Sequence, residues 1–566
     1  MRKLTFFSLS FSIVFFLFFS CNCFSQSGKE TIAKNGMVVS ADSIATAVGL
    51  EILKKGGNAI DAAIATGFAL AVTYPVAGNL GGGGFMVIRL ASGETLTLDY
   101  REKAPLNAFR EMYLDSLGNI EQKKILEGVT AAGVPGSVDG LITAWEKFGS
   151  LNFSELIQPA IDLAENGFIL SKSTSESFNR YKSEFVKFNS TKKLFVKPEG
   201  KFKAGELFVQ KDLAATLTRI LLKRRDGFYG GITAELLTKQ MQENGGYISK
   251  EDLKKYSTVS REPVIAFYRD YKVISMGPPS SGGIALIQAL NILENKEIEQ
   301  IPHNSVEYIH FVSEALKYVY ADRSEYLGDP DFFPVPVAQL ISKSYASQIF
   351  NLISDTARKS LEIKPGEVFP NESTETTHYS VYDKFGNAVS VTTTINSGYG
   401  AKVVVEGAGF FLNNEMDDFS AKPGVPNQFG LPGNIANQIV PEKRMLSSMT
   451  PTIILKNDKP FLILGSPGGS TIITVVLQVI LNTIDFKMSL YDAMHSARFH
   501  HQWLPDEIQY EEEITISEKK EELEQKGHKI GIKRVLGLVE AILIDHNSGD
   551  IIGISDPRGF GYAGGY

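Results

Sequence analysis

Nucleophilic chemistry is best supported where a polar stretch meets a strand. Asp355, Thr356, Lys359, Lys364, Pro365, Pro370, Asn371, Ser373 and Thr374 belong to a run with no apolar period, which reads as a mobile linker. It leads directly into Glu375-Thr376-Thr377-His378-Tyr379-Ser380, the opening of a strand. A threonine hydroxyl is a poor nucleophile at neutral pH and needs a base within hydrogen-bond reach. A free α-amino group, with a pKa of about 8, supplies that base from the same residue. In an uncut chain the Thr376 nitrogen is an amide and accepts no proton. A cut before Thr376 would therefore switch such a site on: the hydroxyl attacks the Glu375 carbonyl, and water opens the resulting ester. Read locally, however, the threonines are ordinary strand formers, and the plain strand reading is favoured.

The rest of the chain narrows the chemistry further. Both cysteines, Cys21 and Cys23, lie near the start, so neither a disulfide nor a thiol nucleophile serves the main body. Any nucleophile there is oxygen. Arg101, at a strand end, offers a planar fork suited to a carboxylate, although a surface ion pair is the usual role of such a residue. Gly468-Gly469 before an apolar helix is ordinarily a turn, but it would also bring backbone N–H groups close to a developing oxyanion. Residues 81–84 are all glycine, yet no Gly-Lys-Ser/Thr follows them, which argues against a phosphate loop. His500-His501 has no carboxylate at metal-ligand spacing and reads as structural. Neither a metal nor an organic cofactor is expected.

The elements that must position these residues follow from the apolar pattern. Helical spacing over 41–55 stops at Gly56-Gly57, and a second helix, capped by Asn58, runs to Tyr74 before Pro75. A strand over 85–90 turns at Ser92-Gly93 into 95–100, which delivers Arg101. The middle of the chain, 140–350, is mainly helical in pattern, as at 213–223 and 306–320. From Thr376 onward strands come in pairs: 378–382 with 388–395, 452–455 with 461–464, and 539–544 with 551–554. An apolar helix at 470–481 follows Gly468-Gly469. Hairpins with interspersed helices predict an α+β fold of sheets stacked between helical layers.

The 566 residues are 43% hydrophobic and 21% charged, enough to bury a large core. A net charge of -7 with no basic stripe argues against a nucleic-acid partner. Residues 1–25 stand apart: Arg2 and Lys3 precede an apolar run to Phe19 that exits through Ser20-Cys21-Asn22-Cys23. This reads as an export signal, favoured over an uncleaved anchor helix because the run is short for a membrane span. The expected location is periplasmic or secreted, with Cys21 a candidate for lipid anchoring.

Taken together, the motifs resemble the γ-glutamyltransferases (γ-glutamyl transpeptidases) of bacterial type over nearly the whole mature chain. The matching pieces are residues 78–85, Asp99-Tyr100-Arg101-Glu102, Ala132-Gly133-Val134-Pro135-Gly136 and residues 376–386. Further on come residues 412–419, Ser447-Ser448-Met449-Thr450-Pro451, Gly465-Ser466-Pro467-Gly468-Gly469 and Ser555-Asp556-Pro557-Arg558. The resemblance implies an N-terminal-nucleophile hydrolase, a four-layer αββα sandwich. One precursor would be cut into a large subunit (26–375) and a small subunit (376–566) that pair as a heterodimer.

It also implies residue roles. Thr376 is the nucleophile and Thr394 orients it. Arg101, Ser447 and Ser448 take the α-carboxylate of a γ-glutamyl donor, Asp418, Asn396 and Glu415 take its α-ammonium, and Gly468 and Gly469 form the oxyanion hole. Some bacterial members have Gln at the Glu415 position. Residues 423–434 resemble a lid present in some members, with Phe429 at the gate where the bacterial pattern often has Tyr. Its missing hydroxyl removes one hydrogen bond across the cleft. The implied reaction is ping-pong transfer from glutathione or a similar compound to water, an amino acid or a dipeptide. Rival readings on the same scaffold are a glutaryl-cephalosporin acylase or a poly-γ-glutamate capsule enzyme. A reading outside catalysis is an uncut, silent surface lipoprotein.

Overall fold

The computed structural model describes residues 27–364, 376–511, 519–532 and 535–566. The expected export signal with Cys21, and the linker residues 365–375 including Glu375, lie outside the described residues. Two seven-stranded antiparallel sheets carry the fold. The first is ordered Tyr562–Gly565, Met37–Ser40, Thr377–Tyr382, Ala388–Thr394, Gly83–Arg89, Thr95–Asp99 and Val259–Arg261. The second is ordered Thr31–Ala33, Asp550–Ser555, Glu540–Asp545, Lys459–Gly465, Thr452–Lys456, Tyr271–Ser275 and Val264–Tyr268. The three expected hairpins after Thr376 are all present in these sheets.

Side-chain alternation along the strands separates the layers. In Met37–Ser40, Met37 and Val39 pack between the sheets, whereas Val38 packs with the outer helices. In Gly83–Arg89, Phe85 and Val87 face inward, and Met86 and Ile88 face outward. Helices Ser43–Lys54, Ala59–Thr73, Ser137–Phe148 and Phe153–Asn166 cover the first sheet. Gly282–Leu293, Val306–Tyr326 and Thr471–Ile484 cover the second. The result is a four-layer αββα sandwich. Ala59–Thr73 is buried on every side, which explains its run of alanines between larger apolar residues. Its start is fixed by a capping box, with Asn58 and Asp61 each accepting from the other's backbone N–H.

The middle of the chain is mainly helical, as its pattern predicts. It is not only helical, because Val264–Tyr268 and Tyr271–Ser275 form a hairpin at the edge of the second sheet. Arg269 at φ 51° makes the two-residue turn with Asp270. The strands are short but rich in β-branched and aromatic residues, and Tyr271–Ser275 pairs in turn with Thr452–Lys456, nearly two hundred residues on. No helix among the described residues is long and apolar enough to cross a membrane.

Candidate active site

Thr376 stands immediately before the central strand Thr377–Tyr382. The neighbouring strand pairs in the register Thr377↔Thr393, which brings Thr394 opposite Thr376 at the strand end. The glycine run packs against this pair. Asn79 Nδ2 donates to the Thr394 carbonyl at 2.9 Å, and Asn79 Oδ1 accepts from Gly82 N at 2.9 Å. A Cβ on Gly82 would lie 2.0 Å from the Thr394 carbonyl oxygen, so only glycine fits there. Residues 81–84 thus support the threonine strands and do not cradle a phosphate. Beyond Thr394 the chain turns through Asn396, in the left-handed region at φ 74°. The Asn396 amide N–H donates to Thr394 Oγ1 at 2.8 Å, and its side chain donates to the Asn414 carbonyl at 2.9 Å.

Arg101 arrives from the end of Thr95–Asp99 and is almost completely buried. Its guanidinium meets three carboxylates: Asp418 at 2.5 Å, Glu415 at 2.7 Å and Glu102 at 3.3 Å. Nε also donates to the Met445 carbonyl at 3.3 Å. Burial disfavours the charge on Arg101, but Glu415, Glu102 and Asp418 more than offset this and hold the guanidinium above its ordinary pKa. The acids pay the imbalance: burial pushes Glu415 well above the usual carboxyl range and Glu102 up to about 7, despite the pull of Arg101. Burial also raises Asp418. The structure therefore places Glu415 behind Arg101, fully enclosed.

A small cavity gathers most of the remaining candidates. Thr376, Thr394, Arg101, Asn396, Asp418, Ser447, Ser448 and Gly469 all line it. Glu415 and Gly468 do not. Gly468 instead lines a much larger cavity of about 390 Å³ that also reaches Thr376. Both glycines need their backbone freedom, with φ at 138° and 55°.

Arg323 is the residue that the sequence reading missed. It lies in the last turns of Val306–Tyr326 and lines the small cavity. Nη2 donates to Ser448 Oγ at 3.1 Å and Nε donates to Ser281 Oγ at 2.9 Å. Among the described residues no carboxylate lies within ion-pair distance of it, and burial brings it down to about 10. Nothing local in the helix sequence marks it, because its role depends on where the helix ends against Ser447-Ser448.

Residues 423–434 lie closed over this cavity. Phe429 is buried, and its ring sits where a Cβ on Gly469 would come within 2.8 Å of it. The loop is fastened without a tyrosine hydroxyl. Asn427 Nδ2 donates to Asp418 at 3.2 Å, and Ser397 Oγ donates to Gln428 Oε1 at 2.7 Å. Gln428 N donates to Asp417 at 3.1 Å, and Gln502 donates to the Phe429 carbonyl at 3.2 Å. Burial, with Asp418 beside it, brings Asp417 up to about 7.

The histidines near the site are held in hydrogen bonds. His378 meets Thr392 Oγ1 at 2.9 Å and Ser380 Oγ at 3.1 Å, and burial lowers its pKa to about 3. It is a neutral packing residue between the sheets. His500 meets Thr474 Oγ1 at 2.8 Å and Gln502 Oε1 at 2.9 Å. His501 lies 3.5 Å from Asp506, a carboxylate that sequence spacing did not pair with it.

A family model described as gamma-glutamyltranspeptidase matches residues 45–566. A glutathione hydrolase proenzyme of Escherichia coli is 49% identical over 528 residues, covering 93% of this chain and 91% of its own. A cephalosporin acylase structure from Bacillus halodurans superposes with a TM-score of 0.83 at 28% identity, over 95% of this chain and 97% of its own. The Helicobacter pylori gamma-glutamyltranspeptidase structure is 50% identical, with a TM-score of 0.57 over 58% of this chain and 94% of its own.

Proposed function

Because the chain belongs to the γ-glutamyltranspeptidase family, we propose that it is a self-cutting γ-glutamyltransferase and glutathione hydrolase. Thr376 Oγ attacks the Glu375 carbonyl carbon, the peptide C–N bond breaks, and the acyl group moves onto oxygen. Water then hydrolyses the ester, leaving Glu375 as a carboxylate and Thr376 with a free amine. The products are a large subunit ending at Glu375 and a small subunit beginning at Thr376, held together as a heterodimer by the shared sheets.

In turnover the freed amine accepts the proton of Thr376 Oγ as it attacks the γ-carbonyl of the donor. The amine then passes that proton to the leaving nitrogen. Water or the amine of an amino acid or dipeptide attacks the γ-glutamyl ester, and the hydroxyl is restored. Thr394 orients the nucleophile, and the Gly468 and Gly469 backbone meets the oxyanion.

One observation carries the substrate reading: the small cavity holds cationic and anionic groups side by side. A zwitterionic α-amino-acid head suits this arrangement, its carboxylate toward Arg101, Ser447 and Ser448 and its ammonium toward Asp418 and Asn396. Arg323 strengthens the positive end through Ser448. Glu415 acts through Arg101, by fixing the guanidinium. The chemistry is assigned to these groups with no cofactor. Export to the periplasm or outside the cell, with Cys21 lipidated or removed, suits an enzyme acting on external γ-glutamyl compounds.

The rival is a glutaryl-amide acylase, favoured by the likeness to the Bacillus halodurans structure. A glutaryl donor lacks the ammonium, which leaves Asp418 without a ligand. Comparing γ-glutamyl and glutaryl anilides tests the choice. The γ-glutamyl anilide is expected to be turned over faster, and preference for the glutaryl anilide would overturn the proposal.

A further inference from the structure

Thr376 lies on a partition between two cavities. The small one holds the groups assigned to the amino-acid head, and the large one opens on the other side of the same residue. Gly469 faces the first and Gly468 the second. A carbonyl held at Thr376 and these two glycines therefore has its two substituents in different cavities. The γ-glutamyl side chain occupies one, and the amine it is bonded to must enter the other.

The charge on the large cavity identifies what that amine carries. Its described lining has three acidic or basic side chains: Arg180, Arg558 and Glu540. Arg558 is neutralised, meeting Glu511 at 2.6 Å and Asp556 at 3.3 Å. Glu540 is buried, and burial raises its carboxyl well above the usual range, which disfavours its charge. Arg180 is exposed at the end of helix Lys172–Arg180, and among the described residues it has no acidic partner within ion-pair distance. It is the uncompensated charge of the described lining. Ser173, Thr174 and Ser177 of the same helix add hydroxyls to that wall. Val535 and Phe560, also on the lining, leave 44% and 62% of their surfaces exposed, apolar surface available to a side chain.

Resting on the proposed γ-glutamyl chemistry, we infer that the large cavity is the subsite for the leaving amine and for the acceptor, and that Arg180 selects amines ending in a carboxylate. The ligand class is a short peptide or amino acid with a free C-terminus, bound with its amine at Thr376 and its carboxylate at Arg180. Two extended residues span about 7 Å, a length that a cavity of about 390 Å³ accommodates. The small cavity cannot take this part as well.

The test compares glutathione with its C-terminal carboxamide, which removes only the carboxylate charge, in wild type, Arg180→Ala and Arg180→Lys. Wild type is expected to favour the free acid in kcat/KM by about five- to tenfold. Arg180→Ala brings the ratio near one, and Arg180→Lys keeps part of it. Equal turnover of acid and amide by wild type, or an acid preference that survives in Arg180→Ala, would overturn the inference. A γ-glutamyl anilide, which has no carboxylate on its leaving group, separates the two levels. If wild type fails on the anilide, the activity itself is wrong and the inference falls with it. If the anilide is cleaved while the acid preference is absent, only the Arg180 assignment fails.

Discussion

Replacing Glu415 by Gln is expected to be nearly neutral, whereas replacing Arg101 by Gln is expected to be severe. Arg101 faces three carboxylates within 3.3 Å, and burial already holds Glu415 well above the ordinary carboxyl range. Burial favours the protonated form of Glu415, and glutamine is a close copy of that form. The change should cost less than about 1 kcal/mol and alter kcat/KM by less than about threefold. Arg101→Gln instead leaves the acidic group without its cation, at a cost of about 3–5 kcal/mol. The same imbalance predicts a pH signature. Glu102 moves from an ordinary 4.5 to about 7 in the fold, so its protonated form is favoured by about 3 kcal/mol as an upper bound. Because the folded pKa is the higher one, this contribution is fully present below pH 4.5 and is lost as pH rises through about 7. Thermal unfolding of wild type, Glu415→Gln, Arg101→Gln and Glu102→Gln between about pH 4 and about pH 8 measures both effects. The advantage of wild type over Glu102→Gln should shrink as pH rises. If Glu415→Gln is as damaging as Arg101→Gln, or the advantage over Glu102→Gln grows with pH, the charge assignment is refuted.

Three further outcomes are expected. Arg323→Gln removes the second cation of the small cavity and should raise KM for a γ-glutamyl anilide by about tenfold or more, with a smaller change in kcat; steady-state kinetics measures it. Asn427→Ala removes the bond to Asp418 and the acceptor for Phe429 N and Leu431 N, loosening the lid. Free glutamate should rise relative to transfer product by about fivefold, read by quantifying both products with a saturating dipeptide acceptor. The rate of anilide hydrolysis should rise with pH through about 8 as the Thr376 amine loses its proton. His378, lowered to about 3, adds no step of its own, so a His378-dependent limb at about 6.5 in the pH profile would contradict this.

Much of the fold was legible because turns bracket the strands after Thr376. Asp383-Lys384-Phe385-Gly386-Asn387 and Asn457-Asp458-Lys459 mark hairpins locally, and both are found. The hairpin 264–275 was not legible, since its short strands lie among helices and earn their place by pairing with a distant strand. The site divides in the same way. Thr376, Arg101 and Gly468-Gly469 carry chemistry in their residue types, and family motifs connect them. That Arg101 touches Asp418, 317 residues later in the chain, is a property of packing. So are the enclosure of Glu415 and the arrival of Arg323 at Ser448. The closed lid shows the same limit: the sequence reveals the missing hydroxyl of Phe429, but not the polar contacts of Asn427, Gln428 and Gln502 that hold the loop.

The account depends above all on Thr376 cutting the chain in front of itself. Intact-mass measurement of the purified wild type and Thr376→Ala tests this most directly. The wild type should give two fragments, the smaller beginning at Thr376, and Thr376→Ala should remain one chain across that bond. A wild type that stays whole, or a Thr376→Ala protein that still splits at the same bond, would contradict the account.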